Sequence, residues 1–178
     1  MTKPQQSLFC RGKNCAGCLT RTDAPRRVLC PTSPSEFEQH LLEILGSEPL
    51  DSMARCLGGT WTVGLCDLLA TSLSLFLGGE MYTITDRRNG AGVHVALRVG
   101  GWFIDGDGLT ATSQDLLERW GERLQHKTPK GELQLAPWNG DKHIGGMELF
   151  WNYYPYRELC EFLKQSLDRK QVLSLLTV

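Results

Sequence analysis

Cys66, His94 and Asp105 are, in that order along the chain, the residue types that nucleophilic acyl chemistry requires. A cysteine attacks as its thiolate, and a thiol in the first turn of a helix meets unpaired backbone amides and a dipole that favour negative charge. Cys66 opens a run in which Leu65, Leu68, Leu69, Leu73, Phe76 and Leu77 recur at helical spacing. Gly78-Gly79 closes the run, as glycine does at a helix C-terminus. The pattern predicts a buried helix with Cys66 at its start. Gly64 lets the backbone come close to a substrate there, the Cys66 amide is a candidate oxyanion donor, and Trp61 is placed to shape the cleft. A base and an orienting group must then come from elsewhere.

The next elements offer both. Val93–Val99 and Trp102–Asp105 are β-prone runs separated by Gly100-Gly101, which predicts a two-residue hairpin. Val99 then pairs with Trp102, and Ala96 with Asp105. Because side chains alternate along a strand, His94, Ala96 and Arg98 share a face with Phe103, Asp105 and Asp107. Asp105 lies diagonal to His94 and Asp107 lies opposite it, so either carboxylate is placed to hold the imidazole tautomer.

This order of a helix-borne cysteine, a strand-borne histidine and an aspartate on the following strand resembles the papain-like superfamily of cysteine peptidases, amidases and transglutaminase-like proteins. Gly64-Leu-Cys-Asp-Leu-Leu-Ala70 looks like its nucleophile helix. His94-Val-Ala-Leu-Arg-Val99 and Trp102-Phe-Ile-Asp-Gly-Asp-Gly108 look like its histidine and aspartate strands. The resemblance runs from about Trp61 to Leu109. It implies a catalytic triad of Cys66, His94 and Asp105, with Asp105 preferred over Asp107. The chain departs from papain itself in having no glutamine or asparagine shortly before Cys66, so the oxyanion would rest on backbone amides.

Elements on either side must carry this hairpin and helix. Ser35-x-x-Glu38 is a capping-box pattern, and Phe37, Leu41, Leu42 and Leu45 continue it at helical spacing until Gly46 and Pro49. Asp51–Leu57 is expected to add one more short turn. Met81–Thr85 reads as a short strand, Ser113–Gln125 as a helix with Leu116, Leu117, Trp120 and Leu124 on one stripe, and Glu132–Leu135 as another short strand. The end of the chain reads as a helix from Tyr156 to Leu167, burying Leu159, Cys160, Phe162 and Leu163, with a last short helix after it. The expected fold is therefore α+β: a helical subdomain bearing Cys66 packed on a small antiparallel sheet bearing His94 and Asp105.

Residues 1–34 read as a basic, cysteine-rich extension to a catalytic domain of residues 35–178. Four of the seven cysteines, Cys10, Cys15, Cys18 and Cys30, fall in this extension and have the ligand types for a tetrahedral structural zinc, although only Cys15 and Cys18 have familiar finger spacing. Catalysis itself requires no cofactor. The odd number of cysteines leaves at least one unpaired in a monomer.

Composition narrows the partners. Nineteen basic against 20 acidic residues, a formal net charge of −1, offer no electrostatic reason to expect nucleic acid or an anionic membrane. No apolar stretch reaches the roughly twenty residues of a membrane span, and the polar start is unlike a signal peptide, so a soluble cytoplasmic protein is expected. The expected substrate is an amide of a peptide, a protein or a peptidoglycan-like polymer, attacked to give a thioester. The competing expectation is a non-catalytic interaction protein on the same scaffold.

Overall fold

In a computed structural model, residues 28–124, 132–138 and 155–177 are described. In chain order the elements are α1 (Pro34–Leu45), α2 (Glu48–Cys56), α3 (Cys66–Leu77), β1 (Glu80–Asp86), β2 (Gly92–Val99), β3 (Trp102–Asp105), β4 (Gly108–Thr110), α4 (Ser113–Arg123), β5 (Leu133–Pro137), α5 (Tyr156–Ser166) and α6 (Arg169–Leu176). The strands form one sheet in the order β4-β3-β2-β1-β5, with every neighbouring pair antiparallel. The α+β expectation holds at this level.

The two faces of the sheet bury different things. Strand alternation sends Leu97, Val99 and Ile104 to one side, where they join Phe37 and Leu41 of α1, Leu50 of α2, Leu69, Leu73 and Phe76 of α3, Leu163 of α5 and Val172 of α6. The other side carries Ile84, Ala96, Phe103 and Leu133, and α4 covers it through Leu116 and Trp120. So α3 belongs to the helical layer on the larger core, and among the described residues α4 is the helix that covers the smaller one.

Three details differ from expectation for local reasons. The cap that starts α1 is Ser33 rather than Ser35, and the Glu36 carboxylate reaches back one residue further, to the Thr32 amide at 2.7 Å. The Ser33 hydroxyl accepts the Glu36 amide at 3.1 Å, and Pro34 occupies the first turn, where its missing N–H costs nothing. Glu38 instead accepts the Leu109 amide at 2.7 Å and so ties α1 to β4, a strand too short to announce itself in the sequence. On the same helix Leu42 faces outward at 40% exposure, and Ile44 takes the core position. Pro49 starts α2 rather than ending α1.

The hairpin of β2 and β3 has the expected register, with Val99 opposite Trp102 and Leu97 opposite Ile104. Between β1 and β2 the pairing slips: Ile84 faces His94 but Thr85 faces Gly92, which leaves Val93 as an extra residue on β2. Such a bulge bends the strand and re-aims the side chains beside it. Here the side chain beside it is His94.

From the extension, only residues from 28 onward are described. Leu29 is tied to the body: its amide donates to the Ser166 carbonyl at 2.8 Å and its carbonyl accepts the Asp168 amide at 3.0 Å. No helix among the described residues is long and apolar enough to cross a membrane.

Candidate active site

Cys66 is the first residue of α3, as its sequence position implies. The loop before it is held by Gly64, whose φ of 85° belongs to the left-handed region that favours glycine. Trp61 is nearly buried, and its indole N–H donates to the Leu45 carbonyl at 2.9 Å, so this side chain caps the end of α1 rather than opening toward a cleft. Its backbone has another role. A Cβ added at Gly106 would lie 2.6 Å from the Trp61 carbonyl carbon, so the loop leading to Cys66 presses against the turn that follows Asp105.

The thiol environment is apolar. Cys66 packs with Ala70 and Val95, and with Met81 and Trp138 at the margin, and it is 4% exposed. Burial pushes the thiol up to about 11, against weaker opposing hydrogen bonds from the backbone of Val95, Asp67 and Cys66 itself. The helix start by itself predicts the opposite direction. Desolvation of a charged sulfur outweighs the amides that would stabilise it, and Asp67 beside it adds a like charge. Asp67 itself is raised, again by burial.

His94 and Asp105 are brought together as a fully buried pair, with His94 at 0% and Asp105 at 2% exposure. The imidazole Nε2 lies 3.0 Å from Asp105 Oδ2. An ionised carboxylate only accepts, so the imidazole places its proton on Nε2. Nδ1 is buried and has no hydrogen-bond partner among the described residues. Asp107 plays a different part: its amide donates to Asp105 Oδ1 at 2.9 Å, and its carboxylate takes two hydrogen bonds from Arg123 at 2.6 and 3.0 Å. The partner of His94 is thus Asp105.

Helix α4 supplies residues for which the sequence reading found no role in the site. Arg119 Nη2 donates to Asp105 Oδ2 at 2.7 Å, and the Trp120 indole N–H approaches the same oxygen at 3.4 Å. The Trp120 ring also stacks on the imidazole, with centroids 3.9 Å apart and planes 23° from parallel. Arg123 lies over the Trp120 ring at 5.0 Å. A signal existed in the sequence: Arg119 and Arg123 are one helical turn apart, the spacing that lets one helix face meet the paired carboxylates of Asp105 and Asp107. Burial would raise the Asp105 carboxyl. The hydrogen bond from His94, electrostatic attraction to the imidazole and to Arg119, and the Asp107 amide together carry it below its ordinary value.

The third partner stands apart. His94 projects with Ile84 and Ala96 toward α4, whereas Cys66 packs on Val95, the next residue along β2, whose side chain faces α3. No hydrogen bond joins the thiol to the imidazole. The Val95 backbone, which hydrogen-bonds the sulfur, is the nearest covalent link between the two groups.

Of the candidate zinc ligands, Cys10, Cys15 and Cys18 lie outside the described residues, and Cys30 is an exposed free thiol. Among the described residues no three His, Cys, Asp or Glu side chains gather as a metal site. No family model matches the chain, and no curated protein and no solved structure matches it either.

Proposed function

We propose that the protein is a cysteine-dependent hydrolase or acyl transferase on a papain-like scaffold, acting on an amide, isopeptide or ester carbonyl. The observation that carries this reading is the His94 imidazole: its Nε2 is committed to Asp105, and its Nδ1 is bare. A general base needs that arrangement, because the orienting carboxylate must hold one nitrogen while the other receives the proton. Cys66 sits one strand residue away, across β2, at a helix start.

In the proposed reaction, Nδ1 of His94 takes the thiol proton of Cys66 and the sulfur attacks the carbonyl carbon. The tetrahedral oxyanion collapses to a thioester as the leaving amine or alcohol takes the proton from His94. Water or a second amine, deprotonated by the same nitrogen, then attacks the thioester and releases the thiol. The chemistry requires the thiol and Nδ1 to meet, so on this reading the chain around Val95 and the loop before Cys66 sample a shifted arrangement already in the free protein. The proposed substrates are peptide, protein or peptidoglycan-like amides, in a cytoplasmic setting, without a cofactor. Structural zinc on Cys10, Cys15, Cys18 and Cys30 belongs to the same proposal as a separate, non-catalytic element.

One observation favours a second reading. A thiol held at about 11 by burial, with no hydrogen bond to its base, is an unreactive thiol. A non-catalytic interaction protein on the same scaffold would have this property permanently. Site-resolved alkylation of Cys66 by iodoacetamide across pH, in wild type and His94→Ala, separates the two. The enzyme reading expects Cys66 to react faster than the other cysteines near neutral pH, and to lose that advantage without His94. A Cys66 that stays inert in both proteins leaves the interaction protein as the reading that stands.

A further inference from the structure

Asp105 is a buried carboxylate with four donors around it, three of them at one oxygen. Oδ2 faces His94 Nε2 at 3.0 Å, Arg119 Nη2 at 2.7 Å and the Trp120 indole N–H at 3.4 Å, and Oδ1 accepts the Asp107 amide at 2.9 Å. A buried charge persists only where something balances it. Two groups in reach can carry a positive charge: His94, if it takes a second proton, and Arg119, which is always charged.

The remaining charges on this face are already engaged or stand away from the pair. Asp86 of β1 is held by Arg88, with Nη2 to Oδ2 at 2.6 Å, and Glu132 pairs with the same arginine. Arg123 of α4 is spent on Asp107. Arg98 of β2 lies over the Phe103 ring, and its side chain points out toward solvent. Ile84 of β1, Ala96 of β2 and Leu116 of α4 are apolar. The balance at Asp105 is therefore a matter between Arg119 and His94.

We infer that Arg119 is a positioning residue of the site: it supplies the cation that balances Asp105, and so lets His94 stay neutral with Nδ1 free to receive a proton. The geometry is selective in this respect. Arg119 reaches the carboxylate from α4 with its side chain 29% exposed, so the guanidinium keeps part of its hydration while it neutralises a carboxylate that has none. Were His94 the balancing cation, both its nitrogens would carry protons, and the buried Nδ1–H would be a charged donor with nothing to bond. Stacking on the Trp120 face favours the imidazolium through the ring quadrupole, so it works against a neutral His94 and the Arg119 charge must outweigh it. The importance of a neutral His94 rests on the Cys66–His94–Asp105 reading, but the charge assignment does not, and it is tested without reference to Cys66.

The test uses full-length protein carrying ¹⁵N-labelled histidine, with the His94 signals assigned by their loss in His94→Gln. Imidazole nitrogen shifts at about pH 7.5, above the ordinary histidine range, distinguish the neutral Nε2–H form from the doubly protonated ion. Wild type is expected to show neutral His94 with Nδ1 unprotonated. Arg119→Met and Arg119→Gln remove the cation, and in both the ratio of protonated to neutral His94 is expected to rise about tenfold or more. Arg119→Lys keeps a cation in reach and is expected to behave as wild type. A merely structural role for Arg119 would not separate Lys from Met and Gln. A doubly protonated His94 in wild type overturns the inference, and so does a ratio within about twofold of wild type in both neutral variants. If Cys66 proves inert to alkylation while the nitrogen shifts follow the expected series, the catalytic reading falls and the charge assignment stands.

Discussion

The two sides of β2 solve opposite problems with neighbouring residues. On the α4 side, His94 brings a polar ring into the core, and the chain answers with a chain of donors and acceptors through Asp105, Arg119, Trp120, Asp107 and Arg123. On the α3 side, Cys66 sits among Ala70, Val95 and Met81, and the answer is exclusion of water. A network keeps its members in fixed geometry at the cost of having every member depend on the others. An apolar pocket tolerates a thiol easily but resists a thiolate. The α4 side therefore fixes the orientation of a polar ring, whereas the α3 side keeps a thiol protonated.

The largest expected effect breaks the polar side. Asp105→Ala leaves the Nε2–H of His94 and the Trp120 indole buried without their acceptor and Arg119 without its carboxylate, and is expected to cost about 3–5 kcal/mol in unfolding free energy. Asp105→Asn keeps an acceptor oxygen and should lose less. Urea titrations of the two variants, compared at equal slope, measure the difference. Equal losses would mean that the carboxylate charge, not its hydrogen-bond geometry, holds this side together.

A cavity on the other side should cost somewhat less. Leu69→Ala removes a fully buried side chain of α3 from the larger core, with an expected loss of about 3 kcal/mol by the same titration. That variant should leave the His94 nitrogen shifts unchanged, because the sheet separates the two cores. Movement of those shifts would show that the two sides are mechanically one.

The thiol offers a smaller effect with a pH signature. Its folded value is raised to about 11, so the folded state holds the proton more firmly than the unfolded chain does. That contribution is fully present below the unfolded thiol value, about 8.5, and is lost as pH rises through the folded one. Between about pH 8.5 and 11, wild type should therefore lose about 2–3 kcal/mol more stability than Cys66→Ala. Parallel curves for the two proteins would place Cys66 in a wetter setting than the α3 side implies. Asp105 has the opposite sign: its lowered carboxyl contributes above the ordinary aspartate value and is lost as pH falls through the folded one.

Least affected should be Arg123→Ala. Its pair with Asp107 is partly exposed, so a loss below about 1 kcal/mol is expected in a thermal or urea melt. The same change at Arg119 should cost more, since its partner is buried. A reversal of that order would shift the anchor of the aspartate turn from Asp105 to Asp107.

Much of this architecture was legible in the chain. The apolar stripe of Leu65, Leu68, Leu69, Leu73, Phe76 and Leu77 specifies α3 and its burial, because helical period and glycine closure are local properties. Gly100-Gly101 specifies the hairpin register, and with it the diagonal placement of Asp105 beside His94, because a two-residue turn leaves one pairing. What the sequence left open was decided at a distance. Whether Asp105 or Asp107 meets the imidazole depends on α4, which arrives from the next segment and claims Asp107 with Arg123. The bulge at Val93 depends on how β1 meets β2, not on either strand alone. The helix start favours a thiolate at Cys66 and is readable in the sequence, whereas the desolvation that pushes the thiol the other way is set by everything that packs above the sulfur. By itself the sequence determined the main elements and the faces of α3 and of the β2–β3 hairpin. Only the tertiary structure decided which faces were closed, and by what, because burial and charge balance are sums over parts of the chain that no local pattern connects.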